Sequence, residues 1–156
     1  MIWLYRLLFP IGFVIGLPYY LRRMIKRGGY GKDFGHRLGL WPRLPKKVDG
    51  IRRIWIQAVS VGELMALGSL LHRLSSNKDL QIVLSTTTST GYQVARDRYG
   101  DLALAIGPFP IDFLPFSHRT WDRINPDLVL LVDSELWPEH LQQARNRGVP
   151  AIIANA

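Results

Sequence analysis

The chain has 156 residues, enough for one domain with a sizeable core, and contains no cysteine, which excludes a disulfide framework and a thiolate metal site. Its net charge of +8 is unevenly placed: residues 1–53 carry twelve Lys/Arg against two Asp, and residues 54–156 carry eight Lys/Arg against ten Asp/Glu. The cations lack the aromatic interleaving of a nucleic-acid surface, and His36, His72, His118 and His140 show no ligand spacing, so neither nucleic acid nor a metal is expected.

Residues 1–21, MIWLYRLLFPIGFVIGLPYYL, hold one charge, Arg6, and the cations Arg22, Arg23, Lys26 and Arg27 follow at once. About 20 apolar residues suffice to cross the hydrocarbon core as a helix. Pro10, Pro18 and Arg6 weaken a straight span, which leaves spanning and interfacial insertion both open. A cleaved signal peptide would place its cations before the apolar run and end in small residues, and neither holds here. Residues 1–21 are therefore read as a membrane anchor and residues 22–53 as a basic linker or collar. The collar faces the cytoplasm by the positive-inside rule and attracts anionic headgroups.

From residue 54 the chain alternates between strand and helix patterns. IWIQAV (54–59) reads as a buried strand, and Leu64, Leu67, Leu71 and Leu74 place one helix over 63–74. LQIVLS (80–85) is a second strand, followed by a helix over about 91–99, and LALAI (102–106) is a third. After the loop GPFPIDFLP, a helix is expected around 117–124. LVLLV (128–132) is the clearest buried strand. A helix over 138–147 begins at Pro138 and ends before Gly148, and PAIIANA (150–156) is the last strand. Short apolar strands alternating with helices predict an α/β, Rossmann-like doubly wound parallel sheet over 54–156, behind the anchor helix. No G-x-G-x-x-G follows a strand, and no return helix follows the last one, which argues against a self-contained dinucleotide-binding enzyme.

In such a sheet ligands sit at the carboxyl ends of the strands, where SVGE, TTTSTG and DSELWP fall. Ser60-Val61-Gly62-Glu63 fits a capping box, with Glu63 reaching back to the Ser60 amide, and on the motif alone a cap is the stronger reading. Thr88, Thr90 and Gly91 supply hydroxyl and N–H groups suited to an anion or a polyhydroxyl substrate, or to an ordinary helix cap. Asp133 and Glu135 lie two apart and would share a face if the strand continued; the plainer alternative makes Asp133 or Ser134 a cap for the helix at Pro138.

Taken together, WIQAVSVGE, STTTSTGYQVA, FPIDFLP, INPDLVLLVDSELWP and VPAIIANA resemble, in order and spacing, the 3-deoxy-D-manno-octulosonic acid (Kdo) transferases. The resemblance covers essentially the whole chain, and SVGE and ELWP are its most specific pieces. It implies the N-terminal, acceptor-side half of a GT-B glycosyltransferase, without the C-terminal CMP-sugar domain and inactive alone. Members move Kdo from CMP-Kdo to a lipid A precursor in lipopolysaccharide core biosynthesis, on the cytoplasmic face of the bacterial inner membrane, without metal or cofactor. By the same likeness Glu63 matches the proton acceptor. Asp133 matches a transition-state stabiliser that is usually Glu, so its carboxylate here is one methylene shorter. Glu135, with Trp137, matches positions that shape the site, and Ser60, Gly62, Thr88, Thr90, Gly91 and Glu135 are the candidate substrate-binding residues. Two alternatives stay open: a non-catalytic membrane-anchored binding module of the same fold, and a GT-B transferase for another sugar.

Overall fold

The computed structural model describes residues 2–26, 28–132 and 136–154. Five strands, β1 (Arg52–Ala58), β2 (Leu80–Thr86), β3 (Ala105–Pro108), β4 (Leu128–Val132) and β5 (Ala151–Ala154), form one sheet in the order β3-β2-β1-β4-β5. Every pairing is parallel, with Ile56 between Leu84 and Leu130 at its centre. This is the α/β parallel sheet that the alternating pattern predicts.

Among the described residues, six α-helices accompany the sheet: α1 (Ile2–Lys26), α2 (Val61–Ala66), α3 (Gly68–Ser75), α4 (Ser89–Tyr99), α5 (Leu114–Ile124) and α6 (Pro138–Arg147). Strand side chains alternate between two cores. Ile54, Ile56, Ile82, Leu84 and Leu130 pack against Leu64 and Leu71 of α2 and α3 and Ala95 of α4. Trp55, Val83, Val129 and Leu131 pack on the other face against Trp121 and Ile124 of α5 and Ala144 of α6. Both faces are covered, and for this reason the strands read as continuous apolar runs.

Helices α4 and α5 start at Ser89 and Leu114 rather than near 91 and 117, and three further readings change. The helix expected over 63–74 is divided at Leu67 into α2 and α3, where a Cβ on Gly68 would lie 3.1 Å from the Tyr99 hydroxyl. The third strand starts at Ala105 rather than residue 102, because Leu102 and Ala103 turn into the core beside α4. The stretch 22–53 is more than a linker: Arg22–Lys26 complete α1, Gly31–Leu38 form a 3-10 helix, and Tyr30, Arg37 and Trp41 are buried. Gly39, at φ 76°, brings that segment against the backbone of α5; an added Cβ would meet the Phe116 carbonyl oxygen at 2.5 Å.

Candidate active site

The loops after β1 and β2 are tied together by the Thr88 amide, which donates to the Val59 carbonyl at 3.2 Å. Each loop ends in a capped helix. Ser60 caps α2, with its Oγ 3.4 Å from the Glu63 amide, and Thr88 caps α4, with its Oγ1 3.1 Å from the Gly91 amide. Glu63 does reach back, but one residue further than the capping-box pattern expects. Its Oε2 accepts from the Val59 amide at 2.6 Å, and its Oε1 accepts from the Ser60 hydroxyl at 3.0 Å. The carboxylate is half-buried and fixed on the rim of the strand ends.

The two glycines of these loops differ. A Cβ on Gly91 would stand 2.8 Å from Thr88 Oγ1 and 3.7 Å from the Ser60 carbonyl carbon, so close loop packing requires glycine there. Gly62 is exposed, and a Cβ would meet only Ser60 Oγ, at 3.8 Å. Nothing in the fold demands glycine at position 62. Thr90 is exposed on the first turn of α4. The structure thus brings Ser60, Gly62, Glu63, Thr88 and Gly91 to one end of the sheet. Asp133 and Glu135 lie outside the described residues.

Beside this cluster is a pocket of about 330 Å³, walled by Val59, Thr87 and Thr88 from the loops, Tyr30, and Tyr20 and Met24 from α1. Sequence reasoning read Tyr20 only as a ring suited to the headgroup region and did not place Tyr20, Tyr30 or Thr87 at the site. Their signal was the position of Thr87 within TTTSTG; the tyrosines gave none, because they arrive from distant segments. The Tyr30 hydroxyl donates to the Thr87 carbonyl, and burial pushes its ionisation upward. The buried Arg37 guanidinium lies over both the Tyr20 and Tyr30 rings, 5.5 and 5.9 Å from their centroids. Tyr92, whose ring stands 6.0 Å from that of Tyr30, donates to Asp33; burial first, and Asp33 second, push its pKa up to about 12. Behind the pocket a buried chain runs from Trp55 Nε1 to Ser85 Oγ at 2.8 Å, from Ser85 Oγ to Gln57 Oε1 at 2.6 Å, and from Gln57 Nε2 to Thr87 Oγ1 at 2.9 Å. Such a network fixes the Thr87 side chain from below.

The opposite side of the strand ends is held by Asp112. Its carboxylate accepts from the Glu139 and His140 amides at 3.1 and 2.9 Å, capping α6, and from the Tyr5 hydroxyl of α1 at 2.6 Å. Burial raises the pKa of Asp112 against the lowering effect of these donors. Among the described residues, no three His, Cys, Asp or Glu side chains are grouped as a metal site.

A parallel sheet in the order 3-2-1-4-5 with capped helices, a carboxylate and hydroxyls at its carboxyl edge is the arrangement of a Rossmann-like α/β domain with its ligand side at the strand ends. The family model for 3-deoxy-D-manno-octulosonic-acid transferase (kdotransferase) matches residues 32–156, and the chain belongs to that family. It is 37% identical over 105 residues to the 3-deoxy-D-manno-octulosonic acid transferase of Haemophilus influenzae, covering 66% of this chain and 24% of that protein. The transferase of Chlamydophila psittaci is 27% identical over 154 residues, 97% of this chain and 35% of that protein. A bifunctional glycosyltransferase/methyltransferase of Fusobacterium nucleatum is 30% identical over 103 residues, 65% of this chain and 16% of that protein. The chain therefore spans about a third or less of the length of these relatives.

Proposed function

We propose that this chain is the acceptor-binding part of an enzyme that transfers Kdo from CMP-Kdo to a lipid A precursor, at the cytoplasmic face of the bacterial inner membrane. The observation that carries the reading is the pocket between the last turns of α1 and the loops after β1 and β2, with Glu63 on the adjoining loop. A helix long and apolar enough to cross a membrane forms one wall, so a lipid-linked acceptor reaches the strand ends without leaving the bilayer.

In this reading the acceptor hydroxyl attacks the anomeric carbon of Kdo, the bond from that carbon to the CMP phosphate oxygen breaks, and the hydroxyl proton passes to Glu63. Oε2 is held by the Val59 amide, whereas the Ser60 hydroxyl on Oε1 can rotate away and yield that oxygen to the substrate. Gly62 leaves open space for the approaching sugar. Asp133 is proposed to stabilise the transition state and Glu135 to bind substrate, and departing CMP is stabilised by groups on a C-terminal domain. The step asks for no metal from this domain.

The test is transfer from CMP-Kdo with a donor-binding domain restored on the C-terminal side. Kdo-bearing lipid product that depends on both Glu63 and that domain supports the proposal, and residues 1–156 alone should give none, because one wall of a cleft cannot position both substrates. Lipid binding without transfer, even with the second domain present, would favour a non-catalytic binding module.

A further inference from the structure

We propose that α1 lies in the plane of the membrane interface rather than across it, seated between the bilayer and the carboxyl edge of the sheet. The inference rests on the membrane reading above and specifies its geometry.

Half-buried positions recur at helical spacing along the whole of α1, from Ile2 through Phe9, Phe13 and Leu17 to Met24. The domain therefore touches one face of a helix about 37 Å long, at 1.5 Å per residue, from end to end. Near its start, Arg6 forms a two-point pair with Glu139 at 2.7 and 3.0 Å, and Tyr5 donates to Asp112. Phe9 then stacks on Phe113, with centroids 6.3 Å apart. Near its end, Tyr20 and Met24 wall the pocket with Thr87 and Thr88. The partners come from the loops after β1, β2 and β3 and from the first turn of α6, all at the carboxyl edge of the sheet.

A helix crossing roughly 30 Å of hydrocarbon would carry these polar partners in with it or break every contact. Pro10 and Pro18 each remove one helical donor, and at the interface water can satisfy the carbonyls they free. Lying flat removes the cost of the crossing.

The opposite face of α1 is apolar and open, with Trp3 at 74%, Leu7 at 67%, Ile15 at 76% and Ile25 at 70% exposure. Lipid fits this face better than a second copy of the chain. Arg22 and Lys26 stand exposed at its C-terminal end, and no acidic residue lies in the helix, so anionic headgroups complement it where another copy would bring like charges together. Trp3 and Tyr19 are exposed at positions suited to the headgroup region, whereas Tyr5 and Tyr20 turn toward the domain. In this orientation the strand ends and the pocket face the bilayer.

The absence of native cysteine allows single nitroxide labels at Leu4→Cys, Ile11→Cys, Ile15→Cys and Ile25→Cys in the full chain, all at exposed positions. On vesicles containing anionic lipid, depth is read from collisions with oxygen and with a water-soluble nickel complex. The expected result is one shallow depth for all four, about 5–10 Å below the headgroup boundary. Ile11 and Ile15 labels near the bilayer centre, with Leu4 and Ile25 at opposite surfaces, would overturn the in-plane geometry and leave the membrane reading standing. Failure of the chain to float with the vesicles would overturn both. Spin–spin broadening between copies, with no oxygen contact, would assign the face to a second copy and overturn the proposal.

Discussion

Glu63 accepts the Val59 amide through Oε2 at 2.6 Å, so the residue proposed as the base is held by the loop leaving β1 as well as by its own helix. A carboxamide oxygen can keep that bond and cannot take a proton from the substrate. Glu63→Gln is expected to fold normally and, with a donor domain present, to lose about 10²–10⁴-fold in turnover. Ser60→Ala should do the reverse, costing roughly 0.5–2 kcal/mol through the lost cap while leaving most turnover. Paired unfolding curves and rate measurements check both; a fully active, folded Gln variant would leave Glu63 as a cap alone.

Gly62 and Gly91 should respond oppositely to alanine. Gly62→Ala meets open space in a helical conformation and is expected to hold or gain about 0.4–1 kcal/mol in stability. Its methyl group occupies the approach to Glu63, so acceptor KM should rise. Gly91→Ala meets Thr88 Oγ1 at 2.8 Å and should melt earlier, by an amount comparable to a lost cap, about 0.5–2 kcal/mol. Thermal melts with acceptor titrations separate the two effects.

Asp112 joins α1 to α6, and Asp112→Ala would strand the Glu139 and His140 amides as well as the Tyr5 hydroxyl. A loss of about 1–3 kcal/mol for each buried group left unpaired is expected. Hydrogen exchange should show the first turn of α6 opening before the sheet does. Unchanged protection at Glu139 and His140 would refute the cap.

His140 is fully enclosed, and burial pushes its pKa from 6.5 to about 3. Between those values the unfolded chain binds a proton that the folded chain refuses, so stability is fully present above pH 6.5 and falls as the pH drops toward 3. Burial lowers His36 in the same direction and adds to the slope. Denaturant unfolding in detergent across that window should show the decline, and His140→Gln should flatten part of it. An unchanged slope in the variant would place the acid sensitivity elsewhere.

Charge reversal at the end of α1 tests the collar. Arg22→Glu with Lys26→Glu is expected to weaken binding to anionic vesicles strongly, at roughly 1 kcal/mol for each cation removed, with little change on neutral vesicles. Equal losses on both vesicle types would mean that the apolar face alone carries the affinity.

The apolar run LVLLV gave strand β4 its observed bounds from sequence alone, and Pro138 with Gly148 bounded α6, because buried parallel strands and helix ends are dictated locally. Ser60 was legible as a cap for the same reason, whereas the stretch TTTSTG was legible only as a cap region without Thr88 being picked out, and SVGE and ELWP carried the family. The break at Leu67, the target of the Glu63 back-bond and the pocket walls were not legible. The last two depend on contacts that local pattern leaves undetermined, such as Tyr30 against Thr87. Composition alone marks residues 1–21 as apolar, flanked by cations and long enough to enter a membrane. Where that helix rests follows from long-range contacts. Tyr5 and Asp112 are 107 residues apart, and no pattern within the apolar run foretells a hydrogen bond that exists only after the sheet has brought its loops to one edge.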